Sequence, residues 1–234
     1  MFLSYVQTLL PMAIAPAIIC LIYIYVRDTY EKEPVRLLFL GVLYGVILTS
    51  PVIQAERAVS GFLPVYEGLR GAFVSAFLVA AFVEETLKFA VLYFLTWRNR
   101  NFNERFDGIV YAAFISLGFA GTENIIYVLS PSMGGFATAI SRALVSVPAH
   151  GFFGVTMGYY FALAKFENHD NFSFLLKALG LSYLIHGAFD FILLSGYRYY
   201  LILFVPLMAY MWITGFRKMK RHINKSPFKK RLET

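Results

Sequence analysis

Seven apolar runs, roughly 3–26, 37–53, 71–97, 108–129, 143–164, 174–195 and 199–216, divide the chain at its clusters of charged and turn residues. A helix needs about 20 apolar residues to cross the hydrocarbon core of a bilayer. Inside lipid only helices and closed barrels satisfy every backbone polar group. The expected fold class is therefore all-α, a polytopic transmembrane helical bundle of about seven spans. Composition agrees: 59% of residues are hydrophobic and 15% charged, against about 45–50% and 25% in soluble domains. The connections are short and no repeat of fixed period stands out. The chain thus reads as one transmembrane domain over 1–216 with a basic tail over 217–234.

The first run is longer than the core of a secretory signal and no basic residue precedes it, so it is expected to stay as a membrane helix. The single cysteine, Cys20, cannot form an intrachain disulfide.

The formal net charge of +7 is confined to the C-terminus, where residues 217–231 hold eight of the 21 Lys and Arg. A short basic segment directly after an apolar span is a topology signal, and each basic residue near anionic lipid headgroups contributes about 1 kcal/mol. Anionic headgroups are the partner expected for this tail. Nucleic acid is not, because no nucleic-acid-binding module accompanies it. With the N-terminus outside, the inner connections and tail carry 16 basic residues and the outer connections four. An N-out, C-in arrangement follows, since positive residues resist translocation.

Against this background, the ionisable residues inside the runs stand out. Glu84, Glu85 and Lys88 lie in the third run, Glu123 in the fourth, His150 in the fifth, and His186 and Asp190 in the sixth. Each charge at the bilayer centre costs on the order of 2.5–3.5 kcal/mol even on the gentler scale, so each needs a partner or a task. A purely structural use is disfavoured, because apolar replacement of a buried ion pair is often neutral or stabilising. Spacing groups them further: Glu84 and Lys88, like His186 and Asp190, are four residues apart and share a helix face, and Glu85 is three from Lys88. Gly41 and Gly45, with Gly118, Gly121, Gly151, Gly154, Gly158 and Gly187, allow close helix contact, and Pro148 suggests a kink just before His150.

A carboxylate and imidazole set of this kind suits Zn²⁺, which acidifies a water while a glutamate takes its proton. No HExxH is present, so the ligands would come from separate helices. The same groups suit a proton-coupled transporter or ion pathway, although no repeated half is visible, as many transporters show. A structural membrane adaptor is a third class; it would tolerate alanine at Glu85 and His186.

Four motifs follow one another in this part of the chain. Glu84-Glu85-Thr86-Leu87-Lys88 matches EExxK, and Phe119 to Glu123 followed by Asn124 matches FxxxEN. Arg142 through Pro148 to His150 looks like a third motif, and His186 to Asp190 matches HxxxD. In that order, on successive spans, they resemble the PrsW family of intramembrane proteases, relatives of the CAAX prenyl endopeptidase and bacteriocin-processing group. The CAAX relatives usually carry FxxxH in the second motif and often end the last in Asn; Glu123 and Asp190 stand here, which disfavours a prenylated substrate.

The resemblance implies a bacterial plasma-membrane endopeptidase, metal-dependent, that makes the first cut in a single-span, membrane-anchored anti-sigma factor. It also implies roles: Glu84 or Glu85 as general base with Lys88 as electrostatic partner, and Glu123, His150 and His186 as metal ligands or carbonyl polarisers. Asp190 would orient His186 or complete the coordination, and Asn124 could donate to the oxyanion. The catalytic spans would cover about 71–195.

Overall fold

The computed structural model describes residues 2–167 and 171–229, and every regular element among them is helical. Helix α1 covers Phe2–Arg27 and α2 Val35–Phe62. Helix α3, Gly68–Phe73, runs through π-helical turns at Val74–Ala81 into α4, Phe82–Thr96, so 68–96 is one unbroken helical rod. Then follow α5 (Arg105–Val128), short α6 (Phe136–Leu144), α7 (Ser146–Phe166), α8 (Asn171–Leu194) and α9 (Leu201–Asn224). Five helical segments are long and apolar enough to cross a membrane: Val6–Arg27, Val35–Phe62, Arg105–Val128, Asn171–Leu194 and Arg198–Asn224. The two remaining long stretches, 68–96 and α7, carry Glu84, Glu85, Lys88 and His150.

Helix α5 is the hub. Every residue from Phe106 to Ala120 is buried, as expected of a helix apolar all round, and α7, α2 and α1 pack on it. Lipid tails are as apolar as leucine, so helices associate in a membrane mainly through close packing of small residues. A Cβ on Gly45 would lie 2.2 Å from the Ile115 carbonyl oxygen, and one on Gly158 would lie 2.2 Å from that of Gly108. The backbones of α2 and α7 therefore touch the backbone of α5 on its two sides. Large apolar side chains such as Ile19, Ile22, Phe39, Phe94 and Ile202 remain exposed on the periphery, where a bilayer would meet them.

Three sequence expectations shift. Helix α2, expected to end near 53, continues to Phe62 and carries Glu56 and Arg57 inside the helix instead of in an outer connection. Charge alone had marked that boundary, but these residues face a polar cavity that tolerates them. Helix α9 runs past the expected end at 216: Met219 and His222 are buried, His222 Nδ1 lies 2.9 Å from the Arg105 carbonyl, and Lys218 Nζ donates to Thr156 Oγ1 at 3.0 Å. Residues 217–224 thus belong to the bundle; of the tail's charges, Lys230, Arg231 and Glu233 lie outside the described residues. Pro148 makes no kink, because α7 begins at Ser146 and the proline sits in its first turn, where no backbone donor is missed. The chain bends instead at Val145, between α6 and α7.

At the end of the bundle that carries the connections 28–34 and 97–104, several carboxyls are buried together. Glu33 accepts a hydrogen bond from the Tyr111 hydroxyl, and the backbone N–H of Glu33 donates to Asp28 Oδ2 at 3.2 Å. Burial pushes Asp28 up to about 6 and Glu33 and Glu104 up to about 7. A carboxyl whose folded pKa is raised contributes stability below its unfolded pKa, near 4, and loses it as pH rises through the folded value. The thermal midpoint of the detergent-solubilised protein is therefore expected to fall between about pH 5 and pH 8. Replacing Glu33 and Glu104 by Gln should flatten that slope; a midpoint rising over the same range in the unmodified protein would contradict the assignment.

Candidate active site

The π turns at Val74–Ala81 deliver the chain into α4, whose first turn holds Glu84 and Glu85. Lys88, one turn on, reaches both: Nζ lies 2.7 Å from Glu84 Oε2 and 3.0 Å from Glu85 Oε1. The ammonium also sits 4.2 Å from the centre of the Phe119 ring, a cation–π contact that helps to hold a buried charge. Helix α8 brings His186, whose Nδ1 is 2.9 Å from Glu85 Oε1 and whose Nε2 is 3.3 Å from Asp190 Oδ2. Helix α7 brings His150, with Nδ1 3.4 Å from Lys88 Nζ and Nε2 3.1 Å from Glu123 Oε2 on α5. Phe153, one turn along from His150, stacks on the His186 ring at 4.5 Å. Four elements, α4, α5, α7 and α8, thus bring seven of the eight anticipated residues into one connected network.

The eighth, Asn124, is linked to it, among the described residues, only through Arg142. Its Nδ2 donates to the Ala13 carbonyl at 2.7 Å and its Oδ1 accepts from Arg142 Nε at 2.9 Å, so the side chain ties α5 to α1 and α6. It is fully buried there. Arg142 acquires a clear part: Nη2 donates to Glu123 Oε2 at 2.7 Å and the guanidinium covers the Tyr127 ring at 4.1 Å. Its presence in the third motif was visible in the sequence; its partner was not.

These groups border a cavity of about 790 Å³, lined among others by Glu84, Glu123, His150, His186 and Asp190. Glu85 does not line it; at 0% exposure it stands behind His186 and Lys88, and its Oε2 has no hydrogen-bond partner. Glu123 and Asp190 are the more open carboxylates, with side chains 19% and 23% exposed. Glu56 of α2 joins the lining, a residue that the apolar-run reading had left outside the membrane.

Among the described residues, the ligand atoms gathered closely enough for a metal include Glu84, where the resemblance implied Glu123. Glu84, His150 and His186 each offer a ligand atom, and these atoms lie within 4.8 Å of one another. Glu123, expected in that set, is occupied at Oε2 by both Arg142 and His150. Two imidazoles and one carboxylate form a known catalytic zinc donor set. Each imidazole also has a carboxylate that can fix its tautomer, Glu123 at His150 Nε2 and Glu85 at His186 Nδ1, which leaves His150 Nδ1 and, in place of its contact with Asp190, His186 Nε2 to an ion. The residues present therefore fit a Zn²⁺-type ion. Lys88 Nζ already sits against Glu84 Oε2, so ion and ammonium are alternatives at that oxygen.

A family model described as PrsW family intramembrane metalloprotease matches residues 33–211. Among curated proteins, Protease PrsW of Clostridioides difficile (strain 630) is 36% identical over 218 residues, covering 92% of this chain and 91% of that protein. Protease PrsW of Geobacillus kaustophilus (strain HTA426) is 38% identical over 217 residues, with 92% of each chain covered. Protease PrsW of Bacillus subtilis (strain 168) is 37% identical over 216 residues, covering 89% of this chain and 92% of that one. No solved structure matches the chain. With the family match spanning most of the chain and near-complete relatives above one third identity, the chain belongs to the PrsW family of intramembrane metalloproteases and is a multi-pass bacterial membrane protease.

Proposed function

We propose that this protease hydrolyses a peptide bond near the outer side of a single-span, membrane-anchored substrate, and that the cut is the first in the release of a transcription factor from an anti-sigma factor. The observation that supports this reading is the 790 Å³ cavity in which carboxylates and imidazoles from separate helices converge. In the proposed topology the chain crosses the membrane seven times, N-out and C-in. The basic residues after the last span rest on anionic headgroups of the inner leaflet. Kinship with the CAAX prenyl endopeptidase group rests on motif order alone. A proton-coupled pathway built from the same residues is not favoured, because the relatives are named as proteases.

In the proposed mechanism a Zn²⁺-type ion, when bound, supplies Lewis acidity that acidifies water and polarises a carbonyl; Glu84, His150 and His186 would hold it. Glu85 positions: it receives His186 Nδ1 and Lys88 Nζ on the same oxygen and meets no substrate. Lys88 offsets the charge of the two adjacent glutamates, and Asp190, which faces His186 Nε2, the ring nitrogen left for the ion, would give up that contact and complete the coordination. With Glu84 serving as a donor, the base role moves to Glu123. Both of its contacts end on Oε2, so Oε1 is the atom that takes the proton of the attacking water and passes it to the leaving amine as the C–N bond breaks.

Two expected results test this reading. Mass spectrometry of the products should place the new terminus near the outer boundary of the substrate's membrane segment, in residues that unwind easily, because a helix hides its carbonyls in hydrogen bonds. A cut at the cytoplasmic end would refute the topology or the shared site. Elemental analysis of purified protein should find about one zinc ion per chain, lost in the His150→Ala and His186→Ala variants. Active, chelator-insensitive protein without metal would instead leave Glu84 and the imidazoles as a metal-free acid–base set.

A further inference from the structure

Every carboxylate of the site but one has a cationic or imidazole partner. Glu84 and Glu85 have Lys88, Glu85 and Asp190 have His186, and Glu123 has Arg142 and His150. The exception is Glu56, which lines the same cavity from α2 and has no hydrogen bond or ion pair among the described residues. It is close enough to feel the charges of Glu84, Glu123, Lys88 and His186. Arg57 follows directly in sequence and also borders the cavity, but adjacent residues point about 100° apart on a helix and do not pair.

A carboxylate on the wall of a cavity within a membrane bundle is costly without a counter-charge. Glu56 lies among further carboxylates, which raise that cost. None of the motifs that carry the family resemblance includes it, and none of the hydrogen bonds that order the catalytic groups passes through it. What remains for it to meet is whatever enters the cavity.

The geometry points to Glu56 as a specificity-determining residue: it takes the ammonium or guanidinium of a Lys or Arg flanking the scissile bond of the substrate. A basic side chain at the membrane boundary is long enough to reach along a cavity wall while its backbone lies at the catalytic groups. Once both charges leave water, a mismatched neutral or acidic residue leaves Glu56 unpaired, and discrimination of this kind comes from the unpaired buried charge as much as from the pair. The inference rests on the reading of this cavity as the place where the peptide is cut.

The test is a series of single-span substrates, each with one Lys, Ala or Glu scanned through the positions around the cut, assayed with the full-length unmodified protein and with the isosteric Glu56→Gln variant. One Lys position should raise kcat/KM at least about tenfold over Ala, chiefly through KM, and Glu56→Gln should abolish that preference, lowering cleavage of the Lys substrate and raising that of the Ala substrate. The Glu56→Lys variant should turn the preference toward Glu at the same position. Equal loss on all substrates in Glu56→Gln, with a displaced pH profile, would mean that Glu56 acts as a proton relay and would overturn the inference; so would an unchanged preference. If no member of the series is cleaved, the reading of the cavity fails, and binding of the same peptides in the His186→Ala background still decides the inference, because charge-selective affinity must vanish with Glu56→Gln.

Discussion

Cleavage of a single-span substrate in proteoliposomes is expected to fall by a factor on the order of 10⁴ or more in the His186→Ala variant, with the protein still inserted and folded. The imidazole joins two carboxylates, at 2.9 Å to Glu85 and 3.3 Å to Asp190, and is one of the three groups gathered for a metal. Its loss removes a ligand and the group that Glu85 positions. Glu84→Ala, Glu85→Ala, Glu123→Ala and His150→Ala should each be similarly severe. Residues that act as a unit are not additive, so the His186→Ala/Glu85→Ala double variant should be hardly worse than either single one. Near-normal cleavage by the Glu85→Ala and His186→Ala variants would remove the site from the chemistry and return the cluster to a structural or ion-conducting role.

The second large effect concerns folding. Gly158→Leu should prevent assembly of the bundle, because its Cβ would lie 2.2 Å from the Gly108 carbonyl oxygen and 2.6 Å from Ile109 Cα. Both obstacles are backbone of the central helix, so no rotamer change relieves them, and the cost should exceed the roughly 1–3 kcal/mol of ordinary overpacking. The control is Gly180→Leu in α8, where a Cβ would meet nothing within 4 Å. Purified yield, thermal midpoint and resistance to proteolysis should collapse in the first variant and stay near those of the unmodified protein in the second. Equal behaviour of the two would mean that α5 and α7 do not pack backbone to backbone.

What could be read along the chain is what repeats within one helix. The seven apolar runs recur as helical stretches, five of them long and apolar enough to cross a membrane, because length and hydropathy are local properties. The contacts of Lys88 with Glu84 and Glu85, and of His186 with Asp190, follow from helical spacing of three or four residues. Three of the four ordered motifs pointed to the family for the same reason, being short patterns confined to single helices; the third, Arg142 to His150, crosses the bend at Val145.

The pairings between helices belong to the tertiary structure alone. Glu84 converges with His150 and His186, Glu123 meets His150 alone of the two imidazoles, Asn124 turns to the Ala13 carbonyl, and Arg142 closes on Glu123. Each choice depends on how far one helix is rotated and slid against another. That is set by contacts such as Gly45 on Ile115 and Gly158 on Gly108, between residues some 50 to 70 positions apart. The continuation of α2 that carries Glu56 to the cavity was hidden for a related reason. A charged pair after an apolar run looks the same in sequence whether it faces bulk water or a polar cavity, and only the neighbouring helices decide which.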